Sequence, residues 1–306
     1  MDPVNSGILL IDKPHGRTSH DVVARVRRAA GTRKVGHAGT LDPMATGLLV
    51  IGVESATRLL THLVGLDKEY TATIRLGVAM TTDDAEGEAI GEPAAADALA
   101  AVDDAALTGG IAALTGVIEQ VPSAVSAIKV DGKRAYDRVR AGEEVELKSR
   151  TVTISAFEVL GAPRRTDDGF LDLDVRVECS SGTYIRALAR DLGAGLGVGG
   201  HLTALRRTRV GAFRIEEAVL LDDLEPDRDR IAPAAAARRI LPVVEVDADG
   251  ARDLGHGKRI DAPADAPEGP IAAIEATADG ERLVAIVERR GPVGARAFKV
   301  VTGFPT

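Results

Sequence analysis

The sequence predicts a mixed α/β (α+β) fold, and three observations support that prediction. Apolar and polar residues alternate over strand-length stretches, as from Lys68 to Gly77. Helical periodicity appears between such stretches, as at 18–30, where Val22, Val23 and Val26 fall on one face. With 306 residues and 45% hydrophobic content, the chain can bury a full core and form two domains.

Composition argues against several classes of protein. The first residues lack the basic-then-apolar pattern of a signal peptide, and the apolar runs are far shorter than a membrane span. We therefore expect a cytoplasmic protein that does not bind membranes. Cys179 is the only cysteine, which argues against a disulfide framework and a cysteine-based metal cluster. The chain also lacks a nucleotide-binding glycine fingerprint and the His/Cys spacing of a metal site.

The net charge of −8 argues against a nucleic-acid partner, but the charges are segregated along the chain. Residues 183–215 contain six Lys or Arg against one Asp, whereas residues 66–120 contain two basic residues against eleven acidic ones. An acidic chain with this distribution can still present a basic surface to RNA.

The first half of the chain is predicted to form alternating strands and helices. The strands are short apolar or alternating runs that end at glycine, proline or charged residues, and Thr18 or Ser19 caps the first helix, which Gly31 ends. The predicted elements are a strand at 7–11, a helix at 18–30, a strand at 48–53, a helix at about 55–64, a strand at 68–77 and a surface helix within 88–104.

The second half continues the same pattern and ends in strands. Leu241-Pro242 marks a boundary after an alanine-rich stretch. The predicted elements are strands at 152–160 and 170–179, a helix that is opened by residues 181–186 and ends in 191–193, a strand at about 205–213, a helix near 226–240, a short helical stretch through 254–257, and strands at 271–276, 282–288 and 296–301.

A loop at 35–47 stands out. It contains three glycines and one proline in thirteen residues, so we expect neither regular helix nor the interior of a strand. Asp42 is its only acid, and Pro43 restricts Asp42 to extended backbone geometry. The residues alone leave two interpretations open, a displayed reactive carboxylate and an Asx-type turn.

The stretch His37-Ala38-Gly39-Thr40-Leu41-Asp42-Pro43-Met44-Ala45-Thr46-Gly47, preceded by Gly36, resembles the G-H-x-G-x-L-D-P-x-A-x-G signature of the TruB family of pseudouridine synthases. The resemblance extends along nearly the whole chain. It implies a pseudouridine synthase fold with a central, mainly antiparallel sheet flanked by helices. It further implies a catalytic domain over 1–240, with an RNA-gripping insertion at about 119–150, and a small β-rich PUA-like domain over 241–306.

The resemblance also implies roles for individual residues. In the family the loop Asp is the nucleophile, so Asp42 is expected to be catalytic, with Arg186 from Ser181-Gly182-Thr183-Tyr184-Ile185-Arg186 as its partner. Tyr70 is expected to stack on the target base and to serve in proton transfer. The substrate-binding residues implied by the resemblance are His37, which fills the space that a flipped nucleotide vacates, Tyr184 and Leu205, which line the uridine pocket, and Asp84, which holds Arg186.

Some residues remain less determined. Lys13 either supports the pocket or is a surface lysine. Basic residues in the insertion and near 206 are candidates for contacts with the RNA backbone, which fix register without reading sequence. These candidates are Lys129, Arg134, Arg206, Arg207 and Arg209. Ser123 and Val125 depart from the family pattern, which weakens aromatic stacking by the insertion.

The resemblance implies a tRNA pseudouridine-55 synthase that acts on the T-stem-loop as a cytoplasmic monomer, without an obligatory protein partner. Because such an isomerisation oxidises nothing and adds nothing, the resemblance also implies that no cofactor and no metal are needed. Three alternatives stay open: the RNA-guided relatives that share the Asp loop, a non-catalytic RNA-binding or RNA-folding protein, and a nucleoside glycosidase. The insertion and the compact C-terminus favour the stand-alone enzyme, and the presence of Asp42, Tyr70 and Arg186 favours catalysis.

Overall fold

The structure, a computed structural model, describes residues 6–123, 147–263, 265–291 and 297–305, together with the strand residues 129–130 and 133–134. Most of the insertion predicted at about 119–150 lies outside these residues. The α-helices in the described chain are α1 (Ser19–Ala29), α2 (Leu60–Val64), α3 (Ala96–Ala100), α4 (Asp104–Ala113), α5 (Ile185–Gly195), α6 (Pro226–Asp229), α7 (Pro233–Arg238) and α8 (Ala248–Gly255).

The strands follow in chain order. They are β1 (Gly7–Lys13), β2 (Val35–Ala38), β3 (Thr46–Val53), β4 (Lys68–Leu76), β5 (Ala79–Met80), β6 (Ala89–Ile90), β7 (Gly116–Gln120), β8 (Lys129–Val130), β9 (Lys133–Arg134), β10 (Arg150–Val159), β11 (Arg164–Arg165), β12 (Leu171–Cys179), β13 (Gly200–Val210), β14 (Phe213–Arg214), β15 (Val219–Leu220), β16 (Val243–Val246), β17 (Ile260–Asp261), β18 (Pro270–Thr277), β19 (Gly280–Arg290) and β20 (Ala297–Gly303). Short 3₁₀ helices cover Glu54–Leu59, Ile215–Glu217 and Leu221–Asp223.

The chain forms two compact units. The first unit contains Met1–Pro43, Gly47–Gly65 and Val210–Thr306, and the second contains Met44–Thr46 and Leu66–Arg209. Residues 210–306 therefore group with the N-terminal segments, and the predicted boundary between residues 240 and 241 does not divide the two units. The domain bounds 1–240 and 241–306 stay a prediction.

In the first unit, β1 pairs antiparallel with β3 and parallel with β15, and β2 pairs antiparallel with β3. Helix α1 begins with a capping box: Thr18 Oγ1 accepts the Asp21 amide at 3.1 Å, and Asp21 Oδ2 accepts the Thr18 amide at 2.8 Å. Val22, Val23 and Val26 on its apolar face are buried against β-strand residues that include Leu9 and Ile51.

The C-terminal part of the first unit is a five-stranded sheet in the order β16-β18-β19-β20-β17. Only β16 and β18 pair in parallel within the described strands of this sheet. Helix α8 buries Ala251 and Leu254 against this sheet, in a cluster that includes Phe298. A C-terminal β domain is therefore present; its likeness to a PUA module stays a prediction.

In the second unit, β4, β12, β10 and β7 pair antiparallel in that order, and β13 lies on the other side of β4. The alternation predicted for β4 holds, since Tyr70, Ala72 and Ile74 are buried while the residues between them are not. The predicted fold class, an α/β (α+β) chain with a mainly antiparallel central sheet, is confirmed. None of the described helices combines the length and the apolar character that crossing a membrane requires.

Three predicted elements differ in detail. Residues 35–38 are not loop but strand β2, because their backbone pairs with β3 from Val35 opposite Val53 to Ala38 opposite Val50. The helix predicted at 226–240 is two short helices, α6 and α7, each beginning with a proline, because proline suits a first helical turn but not a helix interior. The helix predicted at 55–64 begins as the 3₁₀ helix Glu54–Leu59.

Helix α5, which carries Arg186, packs directly against the backbone at the start of β13. A Cβ atom at Gly193 would sit 2.2 Å from Gly199 C and from Gly200 N, at the start of β13. Only a residue without a side chain permits this approach. The close contact fixes the position of α5 over the strand.

We predict that Gly193→Ala lowers the free energy of unfolding by about 3 kcal/mol, because the added methyl group forces backbone apart. The measurement is urea unfolding followed by circular dichroism. Gly195→Ala in the same helix is the matched control: its Cβ would meet nothing within 4 Å, and alanine there is expected to be neutral or stabilising by up to about 1 kcal/mol. Equal stability of the two variants would contradict the close approach.

Candidate active site

The loop that carries Asp42 is fixed on its N-terminal side by Ser19. The Ser19 hydroxyl donates to the Leu41 carbonyl at 3.1 Å and accepts the Leu41 amide at 2.9 Å. Ser19 is the first residue of α1, and both Ser19 and Leu41 are buried. One side chain at the helix terminus therefore holds the backbone immediately before Asp42.

Lys13 fixes the loop on the other side. Its ammonium is 0% exposed and donates to the carbonyls of Pro14 at 3.0 Å, Arg17 at 2.6 Å and Pro43 at 3.3 Å. The Gly16 amide also donates to the Pro43 carbonyl, at 2.8 Å. A surface position for Lys13, one of its two interpretations from the sequence, is wrong. Asp42, which is half-buried, thus has both chain neighbours hydrogen-bonded to the N-terminal segment.

His37 belongs to the same unit as this loop. It lies on β2 opposite Ile51 of β3 and is half-buried. Its ring packs edge-on against the ring of His20 on α1, with 5.9 Å between the centroids. The ring is thus supported from the helix that Ser19 begins.

Arg186 lies in the second unit, as the second residue of α5, and its side chain is almost fully buried at 4% exposed. Its Nη1 donates to the Thr82 carbonyl at 2.7 Å and lies 3.3 Å from Asp84 Oδ2. Asp84 is also buried; its carboxylate accepts the Thr82 hydroxyl at 2.5 Å and the Glu86 amide at 3.1 Å. The structure therefore brings Asp84 and Arg186 together, as the resemblance implies.

A second ion pair runs beside the first. Arg190, one helical turn after Arg186, lies 3.1 Å from Asp83 Oδ2. Asp83 is buried, and burial raises the pKa of its carboxyl above the usual value. The backbone of Asp83 has a positive φ of 60°, which is uncommon for a residue other than glycine. Two successive aspartates thus face two arginines spaced one turn apart.

Tyr184 precedes α5 and is half-buried. Its backbone makes two hydrogen bonds with the side-chain amide of Gln120: the Tyr184 amide donates to Oε1 at 2.8 Å, and Nε2 donates to the Tyr184 carbonyl at 3.1 Å. The Arg150 guanidinium lies over the Tyr184 ring, 5.5 Å from its centroid. The sequence did not indicate Gln120 and Arg150 as partners of Tyr184, because neither pattern nor spacing points to a contact between residues distant in the chain.

Tyr70 and Leu205 lie on neighbouring strands of the second unit, β4 and β13, and both are buried. Tyr70 stands opposite Val177 of β12. The structure places these two residues, Tyr184 and Arg186 in the same compact unit. Asp42, Lys13 and His37 belong to the other unit.

The candidates for RNA-backbone contacts differ in exposure. Arg206 is half-buried, with Nη1 3.4 Å from the Thr46 hydroxyl, and Arg209 lies 3.5 Å from Glu178. Arg207 departs from the prediction: it is 1% exposed on the buried face of β13, so the structure does not present its guanidinium to a phosphate. The side chains of Lys129 and Arg134 lie outside the described part of the chain.

A buried lysine lies near Arg207. Lys68 begins β4 opposite Cys179 of β12, and its ammonium donates to the Leu66 carbonyl at 2.6 Å. Burial and the positive charge of Arg207 lower the pKa of Lys68 to about 8. Burial raises the pKa of the Cys179 thiol to about 11. The thiol is therefore protonated at neutral pH, and we interpret it as a core side chain.

In the described ranges, no group of three or more His, Cys, Asp or Glu side chains is arranged to hold a metal ion. The site residues are carboxylates, guanidinium groups and aromatic rings.

Comparisons with known proteins identify relatives of the chain. A model of the TruB family pseudouridylate synthase N-terminal domain matches residues 27–185, and a model of the tRNA pseudouridylate synthase B C-terminal domain matches residues 186–245. Tyr70, Asp84 and Asp42 fall within the first match, and Arg186 begins the second.

Among the curated relatives, the tRNA pseudouridine synthase B of Leifsonia xyli subsp. xyli is 61% identical over 307 residues, covering 100% of this chain and 98% of the relative. That of Thermobifida fusca is 56% identical over 286 residues, covering 93% and 94%. Among solved structures, a chain of a Cbf5-Nop10-Gar1 complex has a TM-score of 0.72 at 27% identity, covering 99% of this chain and 86% of that chain. A chain of an H/ACA RNP bound to a substrate RNA that contains 2'-deoxyuridine has the same TM-score at 26% identity. The fold implied by the resemblance is thereby confirmed.

We predict that Lys68 makes stability depend on alkaline pH. Below pH 8 the ammonium is charged in both the folded and the unfolded state; between pH 8 and 10.5 the unfolded state binds more protons, so stability rises with pH. The gain of the parent over Lys68→Met is expected to be about 2 to 3 kcal/mol across this window.

The measurement is urea unfolding of both proteins at several pH values between 7.5 and 10.5. Cys179 contributes with the opposite sign between pH 9 and 11, and its pKa is itself lowered by the charge of Lys68. Both proteins are therefore compared in a Cys179→Ala background, so that the difference between them reports Lys68 alone. A difference that stays constant with pH would contradict the lowered pKa of Lys68.

Proposed function

This chain belongs to the TruB family of pseudouridylate synthases, and from that premise we propose that it isomerises the uridine at position 55 in the T-loop of tRNA to pseudouridine. The broader activity, that of a tRNA pseudouridine synthase, is supported by the curated relatives and the family models. The position in the tRNA, the flipped base and the role of Asp42 are our proposal.

The observation that supports the proposal best is the loop around Asp42. It has the family signature, and its backbone is held at Leu41 by Ser19 and at Pro43 by Lys13. A reactive side chain must keep its direction while a large substrate binds, and fixed neighbours provide that.

The reaction breaks the bond between C1′ and N1 of the uridine, turns the uracil and joins C1′ to C5. The proton on C5 is released and N1 gains one, so nothing is oxidised or reduced. We propose that the Asp42 carboxylate acts as the nucleophile or as a general base in these steps. Arg186 keeps that carboxylate ionised and directs it, because a guanidinium offers two parallel hydrogen bonds.

The other site residues handle the base and the RNA. Tyr70 stacks on the uracil and serves in proton transfer, and Tyr184 and Leu205 line the pocket. A uridine stacked in folded RNA must be flipped out at a cost of a few kcal/mol, and His37 fills the space it leaves. Lys129, Arg134, Arg206 and Arg209 contact phosphates, so affinity for tRNA falls as salt rises.

We further propose that the chain works alone in the cytoplasm, as a monomer without an obligatory protein partner or a cofactor. The solved structures that it resembles are those of an H/ACA RNP and of a Cbf5-Nop10-Gar1 complex, whereas the curated relatives with over 50% identity are named tRNA pseudouridine synthase B. The curated relatives have the higher identity, and this chain covers a larger share of their length than of the chains in the solved complexes. Both facts support an enzyme that works without a guide RNA.

Release of tritium from tRNA that carries C5-labelled uridine tests the proposed function. We expect the purified chain to release tritium from unmodified tRNA, and to release none when position 55 is cytidine. Asp42→Asn should lose at least about 100-fold in rate, because an amide cannot replace the carboxylate. Binding without release by the parent protein would indicate an RNA-binding protein, free uracil a hydrolase, and dependence on an added guide RNA the RNA-guided class.

We predict that Arg186→Lys loses about 100-fold in turnover while tRNA binding is retained, because a single ammonium cannot replace the guanidinium that the Thr82 carbonyl and Asp84 position. Single-turnover tritium release and filter binding are the measurements. Arg165→Lys is the matched control, since the Arg165 guanidinium donates to a backbone carbonyl, that of Leu99, elsewhere in the second unit. Unchanged turnover in Arg186→Lys would contradict the role of the guanidinium.

A further inference from the structure

The segment predicted to grip RNA leaves the sheet of the second unit at one point. Gln120 ends β7 and stands directly opposite Arg150, the first residue of β10. The two ends of the segment 121–149 are therefore held side by side by antiparallel pairing. We call Gln120 and Arg150 the root residues.

Both root residues contact Tyr184, the residue before α5. The Gln120 side chain is 0% exposed and makes the two hydrogen bonds with the Tyr184 backbone described above. The Arg150 guanidinium lies over the Tyr184 ring. The Tyr184 side chain makes no capping hydrogen bond with α5, and the Tyr184 amide instead finds its acceptor in Gln120 on a neighbouring strand.

A third contact comes from the helix itself. Arg190 Nη2 donates to the carbonyl of Val121, the residue after Gln120, at 2.7 Å. The same guanidinium pairs with Asp83 of the acidic turn, as we call residues 82–87. The start of the segment is thus bound to Tyr184, just before α5, and to Arg190 on the second turn of the helix.

Arg186 lies between these contacts. It follows Tyr184 by two residues and precedes Arg190 by one helical turn, and its guanidinium is fixed by Thr82 and Asp84. A shift of Tyr184 would move the first turn of α5 and with it the Arg186 side chain. Because misplacement by about 1 Å can lower a rate about 100-fold, contacts that fix this turn affect catalysis without touching substrate.

We propose that the root residues Gln120 and Arg150 are positioning residues for Arg186, which they align through Tyr184. The inference rests on the proposed function, since it assigns these residues to the same reaction. The neutral amide of Gln120 is suited to this role, because RNA phosphates do not attract it away from Tyr184 as they would attract a cation.

The test uses the full chain with Gln120→Met, which keeps the size of the side chain and removes both hydrogen bonds. We expect the single-turnover rate of tritium release to fall about 10- to 100-fold, while the dissociation constant for tRNA changes less than about threefold. Gln120→Glu, which still accepts the Tyr184 amide but cannot donate to its carbonyl, should lie between Gln120→Met and the parent. Arg150→Met should show a smaller loss of the same kind.

The control is Glu119→Gln, one residue earlier on β7, where the side chain is exposed and accepts a hydrogen bond from Thr151. It should leave both constants unchanged. A parental rate in Gln120→Met and Arg150→Met, or a loss that weaker tRNA binding accounts for in full, would overturn the proposal. If Gln120→Met does not fold, Arg150→Met decides, because Arg150 is only half-buried.

The parent protein separates this proposal from the function it rests on. Failure of the parent to release tritium would overturn the proposed function itself. Release by the parent, together with parental rates in both root variants, would overturn only the positioning role.

Discussion

Burial of the Arg186 guanidinium is the constraint on which the second unit depends. A charge with almost no access to water is tolerated only where acceptors replace the lost hydration. The Thr82 carbonyl and Asp84 supply them, and they come from a turn about a hundred residues earlier in the chain. The sheet, the acidic turn and α5 must therefore form together before the ion pair can exist.

The acidic turn is built to stay in place. The Leu202 amide donates to the Asp83 carbonyl at 3.0 Å, and the Ala85 amide donates to the Leu202 carbonyl at 2.9 Å. The turn is thus joined to β13 as a strand would be, and it holds Asp83 at a positive φ that an isolated chain would avoid. Helix α5 is fixed by close packing, since Gly193 brings the helix directly against the backbone of Gly199 and Gly200. Hydrogen bonds on one side and direct contact on the other leave the Arg186 side chain little freedom.

Much of the fold could be predicted from local pattern. The strand β4 shows its alternation in sequence, and Thr18 and Asp21 mark the start of α1 because a capping box depends only on neighbouring residues. Strand β2 could not be predicted, since its four residues become a strand only through pairing with β3. Glycine content indicated a loop there, and tertiary pairing prevailed.

The candidate site, like the fold, could be predicted from the sequence only in part. The motifs indicated Asp42 and Arg186, and the resemblance indicated Asp84 as the residue that holds Arg186, but nothing in the sequence revealed what holds the loop around Asp42. Burial of Lys13 depends on three carbonyls that converge around it, and no pattern in the sequence encodes such convergence. The sequence predicts Arg207 as a phosphate contact, like Arg206 and Arg209. Successive side chains of a strand point to opposite faces, and Arg207 lies on the buried face of β13.

The negative net charge is compatible with an RNA substrate because the cations differ in burial. A pair such as Arg186–Asp84 is shielded from water and salt, so a phosphate cannot displace the carboxylate without unfolding the turn. Arg209, which lies 3.5 Å from Glu178 and retains some exposure, belongs to a more accessible class. Ion pairs that keep contact with water contribute less to stability than fully desolvated ones, so exchange of the carboxylate for a phosphate costs less there. The buried pairs thus preserve the local geometry, and the cations that keep some exposure are the ones that we propose for contact with the RNA backbone.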